Sequence, residues 1–281
     1  MINNKATHVA VIGAGWIGYP LAKHLIAKGM EVLATTTSAT KVAQLNQQGI
    51  RACILNTPQQ LPLALHQYPH WIICIPPGIR QGKSDYADKI QALVDFATSS
   101  NGRVKQLILL SSTAVYNGLA GVVTEHSALD TKDTKVALLH AAEQVVLNSS
   151  VTYKTILRLG GLFGYDRQPG RYFTHKAVPN PDSVINFIHQ DDVIAILQQL
   201  LARYDTVANI VNGVCPHHPT RRDFYQKALL TLAHLTPEFA EQQEQQGKQV
   251  DSVYLADIYP QFQVADLFAY FDSKFAKEYR A

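Results

Sequence analysis

The stretch Val9-Ala10-Val11-Ile12-Gly13-Ala14-Gly15-Trp16-Ile17-Gly18 decides the fold, because an apolar run typical of a buried strand passes directly into G-x-G-x-x-G. Residues 19–25, which follow, are predicted to form a helix. In this context Gly13 permits a tight turn, Gly15 lets the backbone approach a pyrophosphate, and Gly18 lets the helix pack closely on the strand. The free N–H groups at the start of the helix would then bind the pyrophosphate. The alternative is a glycine-rich turn without a ligand, but strand, motif and helix together favour a dinucleotide-binding unit.

The composition is typical of a soluble globular protein. The 281 residues are 47% hydrophobic and 17% charged, which suits one large domain or two modest ones. The net charge of +3 is small and the basic residues are scattered, so neither nucleic acid nor a membrane surface is expected as a partner. No apolar run approaches the ~18 residues of a membrane span, and the first strand begins too early for a signal peptide. The sequence therefore predicts a cytoplasmic protein.

The three cysteines, Cys53, Cys74 and Cys215, are odd in number and have no C-x-x-C spacing. Two of them lie in apolar, strand-like runs. We therefore expect free, buried thiols in a reducing cytosol. A catalytic role for Cys215 is the alternative.

Strand-like and helix-like segments alternate along most of the chain. This alternation predicts an α/β fold, a doubly wound and mostly parallel Rossmann sheet with helices on both faces. After the first unit the predicted strands are 31–34, 50–55, 71–75, 106–110, 154–159 and 209–211. The predicted helices are 40–47, 85–98, 136–147 and 192–204.

The regular alternation weakens after residue 163. Residues 1–163 are predicted to form the Rossmann core, with returning elements at 184–212. Residues 164–183 and 213–281 are predicted to form a small C-terminal subdomain on the substrate side, over the carboxyl ends of the strands, where open parallel sheets bind ligands. The loop 164–171 carries two arginines that could hold an anionic substrate group, or could simply lie at the surface.

The end of the second predicted strand bears on which dinucleotide is bound. NAD-specific sites place a carboxylate there to bind the ribose 2′-OH, but this strand ends in threonines and a serine, and Glu31 at its start should point away. Hydroxyls can donate to a 2′-phosphate and Lys41 can add charge, so NADP(H) is favoured over NAD(H) although no arginine is present. An undiscriminating polar loop is the alternative. The residues expected to contact the dinucleotide are Gly13, Gly15, Trp16, Ile17, Gly18, Thr35, Thr36, Thr37, Ser38, Ile75, Pro76, Pro77 and Ser111.

Several later segments match the motifs of one enzyme family. Ser111-Ser112-Thr113-Ala114-Val115-Tyr116 resembles an S-S-T-x-V-Y-G segment, and residues 156–164 and 184–193 resemble I-L-R-x-x-x-x-x-G and N-x-I-H-x-x-D-V. These motifs are those of the extended short-chain dehydrogenases/reductases, the NAD(P)-dependent epimerase/dehydratase-like group. The W-x-G-x-P-L start, the P-G-R-x-F loop at 169–173 and the late Gly247-Lys248 resemble its YeeZ-like branch. The resemblance covers nearly the full length and implies NAD(P) binding and an oxidoreductase, epimerase or dehydratase activity.

The tyrosine and lysine that this family uses for catalysis are not at their usual positions. If Glu143 takes its usual place in the helix, Lys135 lies at the tyrosine position and Leu139 at the lysine position, and the segment contains no Y-x-x-x-K. The absence matters because a phenol of pKa near 10 is a poor base at neutral pH without a cation beside it. Ser112 fits the family's substrate-binding serine. Tyr116, Lys135 and His140 are possible substitutes, although each residue type is more often found in packing or at the surface.

Two functions therefore remain open. The first is an NADP(H)-dependent oxidoreductase, epimerase or dehydratase with an atypical active site, acting on a small or nucleotide-linked polar substrate. The second is a non-catalytic NADP(H)-binding or redox-sensing protein, which the absent tyrosine–lysine pair favours. A titratable group over the nicotinamide would discriminate between them.

The candidate catalytic residues are Ser112, Tyr116 and Lys135, and the candidates for holding a substrate anion are Arg158, Arg167 and Arg171. We expect His189 to anchor a turn, and the side chains of the adjacent His217 and His218 should diverge. No metal site is expected, because His189 is assigned to a turn and no carboxylate or cysteine completes a set of metal ligands with His217 and His218. The expected partners are a dinucleotide and a small-molecule substrate, and the sequence does not indicate an oligomeric state.

Overall fold

The computed structural model describes residues 7–59, 61–79, 82, 84–99, 103–241 and 247–272. Its strands are β1 (His8–Ile12), β2 (Glu31–Thr36), β3 (Ala52–Ile54), β4 (His70–Ile73), β5 (Gln106–Ser112), β6 (Gly121–Val123), β7 (Tyr153–Leu159), β8 (Gly161–Phe163), β9 (Phe187–His189), β10 (Ile210–Gly213) and β11 (Lys248–Val250). Its helices are α1 (Gly18–Ala27), α2 (Ala39–Gln47), α3 (Tyr86–Thr98), α4 (Thr134–Leu147), α5 (Gln190–Ala202), α6 (Arg221–Ala233), α7 (Leu255–Ile258) and α8 (Leu267–Asp272). The ends of the two predicted domains, 1–6 and 273–281, lie outside the described residues.

A seven-stranded parallel sheet forms the centre of the molecule, in the order β10-β7-β5-β4-β1-β2-β3. β1 pairs with both β2 and β4, so the strand order reverses between β1 and β4. The chain leaves the sheet in opposite directions at such a switch point, which opens a crevice at the carboxyl ends of the strands. The predicted doubly wound α/β fold is confirmed, and the crevice lies where the glycine loop follows β1.

Helices cover both faces of the sheet because successive strand residues point in opposite directions. On β1, Val9 and Val11 pack into the cluster that contains α1 and α5. Ala10 and Ile12 pack into the cluster that contains α3 and α4 on the other face. All four of these side chains are fully buried, as expected for a central parallel strand.

The predicted strands and helices are all present, but several bounds differ. β3 is shorter than the predicted 50–55, and β5 continues through Ser112 instead of ending at residue 110. α5 begins at Gln190 rather than at residue 192, because Nδ1 of His189 accepts a hydrogen bond from the amide of Asp191 and caps the helix. This contact agrees with the expected turn-anchoring role of His189.

The C-terminal part has more regular structure than the sequence analysis predicted. Thr220 caps α6, accepting a hydrogen bond from the amide of Asp223 at 3.1 Å, and this T-x-x-D pattern is a helix-start signal. α6 and α8 share an apolar cluster that includes Phe224 and Tyr270. Two small parallel sheets pair β8 with β9 and β6 with β11. Throughout the described ranges, the helices lack the length and apolar character needed to cross a bilayer.

Candidate functional site

The glycine loop between β1 and α1 has the geometry that its sequence predicts. Gly13 has a φ of +100°, and a Cβ there would lie 3.3 Å from the backbone of Cys74 at the end of β4. A Cβ on Gly18 would collide with the carbonyl oxygen of Gly13. Both positions therefore require glycine for the loop itself to form.

Gly15 differs from the other two glycines because it faces open space. Nothing lies within 4 Å of the position that its Cβ would take. In the part of the chain that the structure describes, the amides of Trp16 and Ile17, which precede α1, have no hydrogen-bond acceptor. Unpaired amides before a helix and a clear approach to the backbone suit the pyrophosphate of a dinucleotide.

Thr35 supports this loop from below. Its hydroxyl accepts a hydrogen bond from the amide of Gly13 at 3.0 Å, and its carbonyl accepts one from Ala14 at 2.7 Å. The side chain is fully buried. The expectation that Thr35 donates to a ribose phosphate is therefore corrected, because the residue is inside the protein and holds the glycine loop in place.

The remaining hydroxyls of the cluster lie at the exposed end of β2. The oxygen of Thr36 accepts from the amide of Ser38, and the oxygen of Ser38 accepts from the amide of Lys41 and caps α2. The hydroxyl protons of both side chains remain available to a ligand. Glu31 lies at the opposite end of the strand, where it accepts from the hydroxyl of Tyr68 at 2.9 Å.

The chain after β4 and β5 lines the other side of the crevice. Ile75 lies beside Gly13, since a Cβ on that glycine would be 3.3 Å from the amide nitrogen of Ile75. Pro76 and Pro77 continue this segment. At the end of β5, Ser111 donates to a carboxylate oxygen of Glu143 at 2.5 Å, so its hydroxyl is engaged inside the protein.

Ser112, the last residue of β5, and Lys135 are both half-buried. The Ser112 oxygen accepts from the amide of Ala114 at 3.1 Å, and its hydroxyl proton is free to donate. Lys135 is in the first turn of α4. Leu139, one turn later, is only 1% exposed and is a core residue. His140 is half-buried, and its Nδ1 has no partner among the described residues.

Tyr116 is fully buried and belongs to an internal network. Its hydroxyl donates to Asn212 at 2.9 Å and accepts from Arg158 at 2.8 Å. Burial raises the pKa of Tyr116, although the charge of Arg158 beside it acts in the opposite direction. Tyr116 therefore does not fit the predicted role of an acid or base, because a buried phenol with both partners satisfied has no access to a substrate.

Arg158 is also corrected as a candidate for holding a substrate anion. It is 3% exposed, and its guanidinium donates to Glu143 with a shortest distance of 2.6 Å. The pair links β7 to α4 beneath the crevice. A buried guanidinium whose charge is already compensated is not available to a ligand.

The loop 164–171 packs against the glycine loop. The guanidinium of Arg167 lies 5.1 Å from the ring centre of Trp16, whose indole N–H donates to Asp166 at 2.6 Å. Gln190 donates to the carbonyl of Trp16 at 2.7 Å. Arg171 is exposed at the start of a short 3₁₀ helix. Arg167 is thus the arginine of the loop that stands next to the predicted pyrophosphate site.

Metal and thiol chemistry have little support in the described part of the chain. No group of three or more His, Cys, Asp or Glu side chains that could hold a metal occurs there. Burial raises the pKa of Cys74 to about 12 and that of Cys215 to about 11. Both thiols are therefore protonated at neutral pH, which opposes a nucleophilic role for Cys215.

Lys248 is a polar residue near the site that the sequence does not predict. This lysine begins β11 and is half-buried, and its ammonium group donates to Oδ1 of Asn117 at 2.8 Å. Its place in the late Gly247-Lys248 segment was the only sequence signal. That segment matched the YeeZ-like branch but carried no indication of where the lysine would lie.

Comparisons with known proteins agree with this geometry. Residues 8–77 match the family model of the NAD binding domain of 6-phosphogluconate dehydrogenase. Protein YeeZ of Escherichia coli K12 is 33% identical over 239 residues, which cover 82% of this chain and 86% of YeeZ. This chain belongs to the YeeZ family. The resemblance inferred from the sequence is confirmed, and the glycine loop lies inside the region that matches an NAD-binding domain.

Solved structures share the fold of this YeeZ-family protein over nearly its full length. Human epimerase family protein SDR39U1 with NADPH has a TM-score of 0.74 at 18% identity, with 96% of this chain and 99% of that chain covered. The enzyme WbmG of Bordetella bronchiseptica, in complex with NAD and UDP, has a TM-score of 0.78 at 16% identity, with 99% and 97% covered. UDP-glucuronic acid 4-epimerase of Bacillus cereus, in complex with NAD, has a TM-score of 0.71 at 16% identity, with 96% and 99% covered. The fold is that of NAD-dependent epimerases and dehydratases.

Proposed function

We propose that this protein is an NADP(H)-dependent enzyme of the extended short-chain dehydrogenase/reductase type, acting on a small or nucleotide-linked polar substrate in the cytoplasm. The observation that carries the proposal is the glycine loop at the switch point, with open space over Gly15 and unpaired amides at Trp16 and Ile17. When bound there, the dinucleotide supplies hydride transfer. The protein's own contribution is to bind the dinucleotide, orient the substrate and move a proton.

The preference for NADP(H) rests on the end of β2. Thr36, Thr37 and Ser38 offer hydroxyl donors to a ribose 2′-phosphate, and no carboxylate stands among them to repel it. A hydrogen bond to a charged group contributes roughly 1.5–3 kcal/mol. NADPH should therefore bind more tightly than NADH.

The substrate side is proposed to lie beyond β5, where Ser112 would donate to a substrate oxygen. Residues 164–183 and 213–281 are proposed to form the subdomain over this crevice. UDP is bound by WbmG, which shares the fold, and this supports a nucleotide-linked substrate as one candidate.

A non-catalytic NADP(H)-binding protein is the second candidate. The observation in its favour is the burial of Leu139, the residue that aligns with the catalytic lysine of short-chain dehydrogenases/reductases if Glu143 takes its usual place in the helix. Such a protein would bind the dinucleotide without turning over any substrate.

One experiment distinguishes the two candidate functions. Calorimetry with NADPH and NADH on the parent protein and on Gly15→Val first establishes the cofactor site. UDP-glucose, UDP-glucuronic acid and small aldehydes and ketones are then supplied with NADP⁺ or NADPH, and products are followed by mass spectrometry. Slow turnover that disappears in Gly15→Val supports the enzyme, whereas tight NADPH binding without turnover of any compound supports the second candidate. Failure to bind either dinucleotide contradicts both.

A further inference from the structure

Lys248 is held firmly in place by its surroundings. Its Nζ donates to Asn117 Oδ1 at 2.8 Å. The amide side chain of Asn186 fixes the backbone, donating to the carbonyl of Lys248 at 2.9 Å and accepting from the amide of Val250 at 2.7 Å. A half-buried lysine with a fixed backbone and one neutral partner has fewer conformations to lose when it binds a ligand.

Topology places this ammonium group on the ligand-binding side of the sheet. Asn117 directly follows the 3₁₀ helix Thr113–Tyr116, which in turn follows Ser112 at the carboxyl end of β5. α4, which begins with Thr134 and Lys135, packs against the same 3₁₀ helix. Lys248 therefore lies near the first turn of α4, on the side of the sheet where β5 ends.

Two positive charges are placed together at this point. The charged groups that act on Lys248 are Lys135 and Asp133. The Asp133 carboxylate accepts from the amide of Val136 at 3.0 Å and caps α4, and its charge offsets part of the positive charge of the two lysines. Within the described residues, Lys135 makes no hydrogen bond or ion pair. Burial, and secondly the charge of Lys135, lower the pKa of Lys248 to about 8 against the opposite effect of Asp133.

We propose that Lys135, Lys248 and Asn117 form a binding site for an anionic group, a carboxylate or a phosphate, of this protein's substrate. The identification of the ligand as the substrate rests on the proposed function. Two ammonium groups that are partly removed from water carry more positive charge than the single carboxylate of Asp133 offsets, and an additional anion would compensate the remainder. A bound anion accepts hydrogen bonds from both ammonium groups and removes their repulsion.

The test uses three probes that share a sugar ring: D-glucuronate carries a carboxylate, glucose 6-phosphate carries a phosphate, and glucose carries no charge. Lysine is labelled with ¹³C at Cε, and the pKa of Lys248 is measured by NMR with and without each probe. We expect the two anions, but not glucose, to bind and to raise the pKa of Lys248. The tighter of the two anions identifies the charged group that the site accepts.

Binding should also depend on pH and on both lysines. With a pKa of about 8, Lys248 is mostly charged at pH 7 and mostly neutral at pH 9, so anion affinity should fall as the pH rises between these values. Lys248→Met should weaken anion binding by about tenfold or more, and Lys135→Met should weaken it and raise the pKa of Lys248 in the free protein. Lys248→Arg, which keeps the positive charge, should retain most of the anion affinity of the parent protein. Lys132→Met is the matched control, because this exposed lysine precedes α4 and its loss should change affinity by less than about twofold.

The outcomes separate this inference from the proposed function. The inference is overturned if neither anion binds, or if binding is unaffected by Lys248→Met and Lys135→Met. It is also overturned if the double variant Lys135→Met/Lys248→Met loses NADPH affinity as strongly as anion affinity, since the pair would then hold the cofactor. Anion binding that depends on both lysines, in a protein that binds no dinucleotide, would support the site and contradict the proposed function.

Discussion

The guanidinium of Arg158 donates to both carboxylate oxygens of Glu143, with Nη2 2.6 Å from Oε2 and Nε 3.0 Å from Oε1. Neither residue is more than 3% exposed. Burial alone would lower the pKa of Arg158, but the hydrogen bonds and charge of Glu143 outweigh it and raise the pKa, so the arginine stays charged. Ser111 donates a hydrogen bond to Glu143, and Tyr116 accepts one from Arg158. The pair therefore connects β5, β7 and α4, and Arg158 lies opposite Ser111, one residue before Ser112.

Removing one charge of this pair should be strongly destabilising. Glu143→Ala leaves Arg158 buried without its counter-charge, and we expect the free energy of unfolding to fall by about 3–5 kcal/mol. The double variant Glu143→Met/Arg158→Met, which removes both charges, should lose less. Urea unfolding followed by circular dichroism measures both. A loss below about 1 kcal/mol in Glu143→Ala would mean that water reaches the pair.

The Rossmann half of the fold could be predicted because its signals are local. The apolar run before Gly13 and the alternation of strands and helices each depend on neighbours in sequence. The glycine positions followed from turn geometry, and the NADP(H) hypothesis from the absence of a carboxylate at the end of β2. Thr35 shows the limit of that reasoning, because sequence does not tell which hydroxyl of a polar run points inward.

The substrate side could not be predicted because its residues meet only through tertiary structure. Tyr116 and Arg158 have residue types suited to a site, yet both are buried by contacts with Asn212 and Glu143 from distant parts of the chain. Lys248 is the converse case. It reaches Asn117 only because β11 pairs with β6, and no local pattern encodes that pairing.

Gly15→Val should abolish dinucleotide binding without reducing stability. The space around the Gly15 Cβ is empty in the protein, so a branched side chain fits the free fold but fills the proposed pyrophosphate position. Gly18→Ala is the contrasting variant, since its Cβ would meet the carbonyl of Gly13 and should lower the melting temperature as well. Calorimetry with NADPH and thermal unfolding distinguish the two effects. Equal NADPH affinity in Gly15→Val and the parent would contradict the glycine-loop assignment.

Thr37→Asp should reverse the cofactor preference. A carboxylate at the exposed end of β2 would repel a 2′-phosphate and accept from a ribose 2′-OH instead. NADPH affinity should fall by about tenfold or more while NADH affinity is retained or improved. Thr37→Val, which removes the hydroxyl without adding charge, should have a smaller effect. If the parent protein already binds NADH more tightly than NADPH, the end of β2 does not face the ribose.

Turnover of UDP-glucose or UDP-glucuronic acid should be absent or slow. General acid–base catalysis supplies about 10²- to 10⁴-fold, and the sequence predicts Lys135 and Leu139 where short-chain dehydrogenases/reductases carry the tyrosine–lysine pair that provides it. Tyr116→Phe should leave any turnover unchanged and lower the free energy of unfolding by about 1–3 kcal/mol, because the buried partners of its hydroxyl lose a hydrogen bond. Rapid epimerisation, measured by product NMR, that survives Lys135→Ala would place the catalytic acid elsewhere.

Arg167→Ala should weaken NADPH binding, whereas Arg171→Ala should not. Arg167 lies over the ring of Trp16, and Trp16 belongs to the glycine loop, so removing the guanidinium loosens the cover of the proposed pyrophosphate site. A cation–π contact at an exposed site contributes roughly 0.5–1 kcal/mol, which corresponds to a two- to fivefold loss of affinity, and a direct contact with a phosphate would add to it. The salt dependence of NADPH affinity separates these two contributions, because screening weakens an exposed phosphate contact. If both variants bind NADPH as the parent does at low and high salt, loop 164–171 is a surface connection without a ligand role.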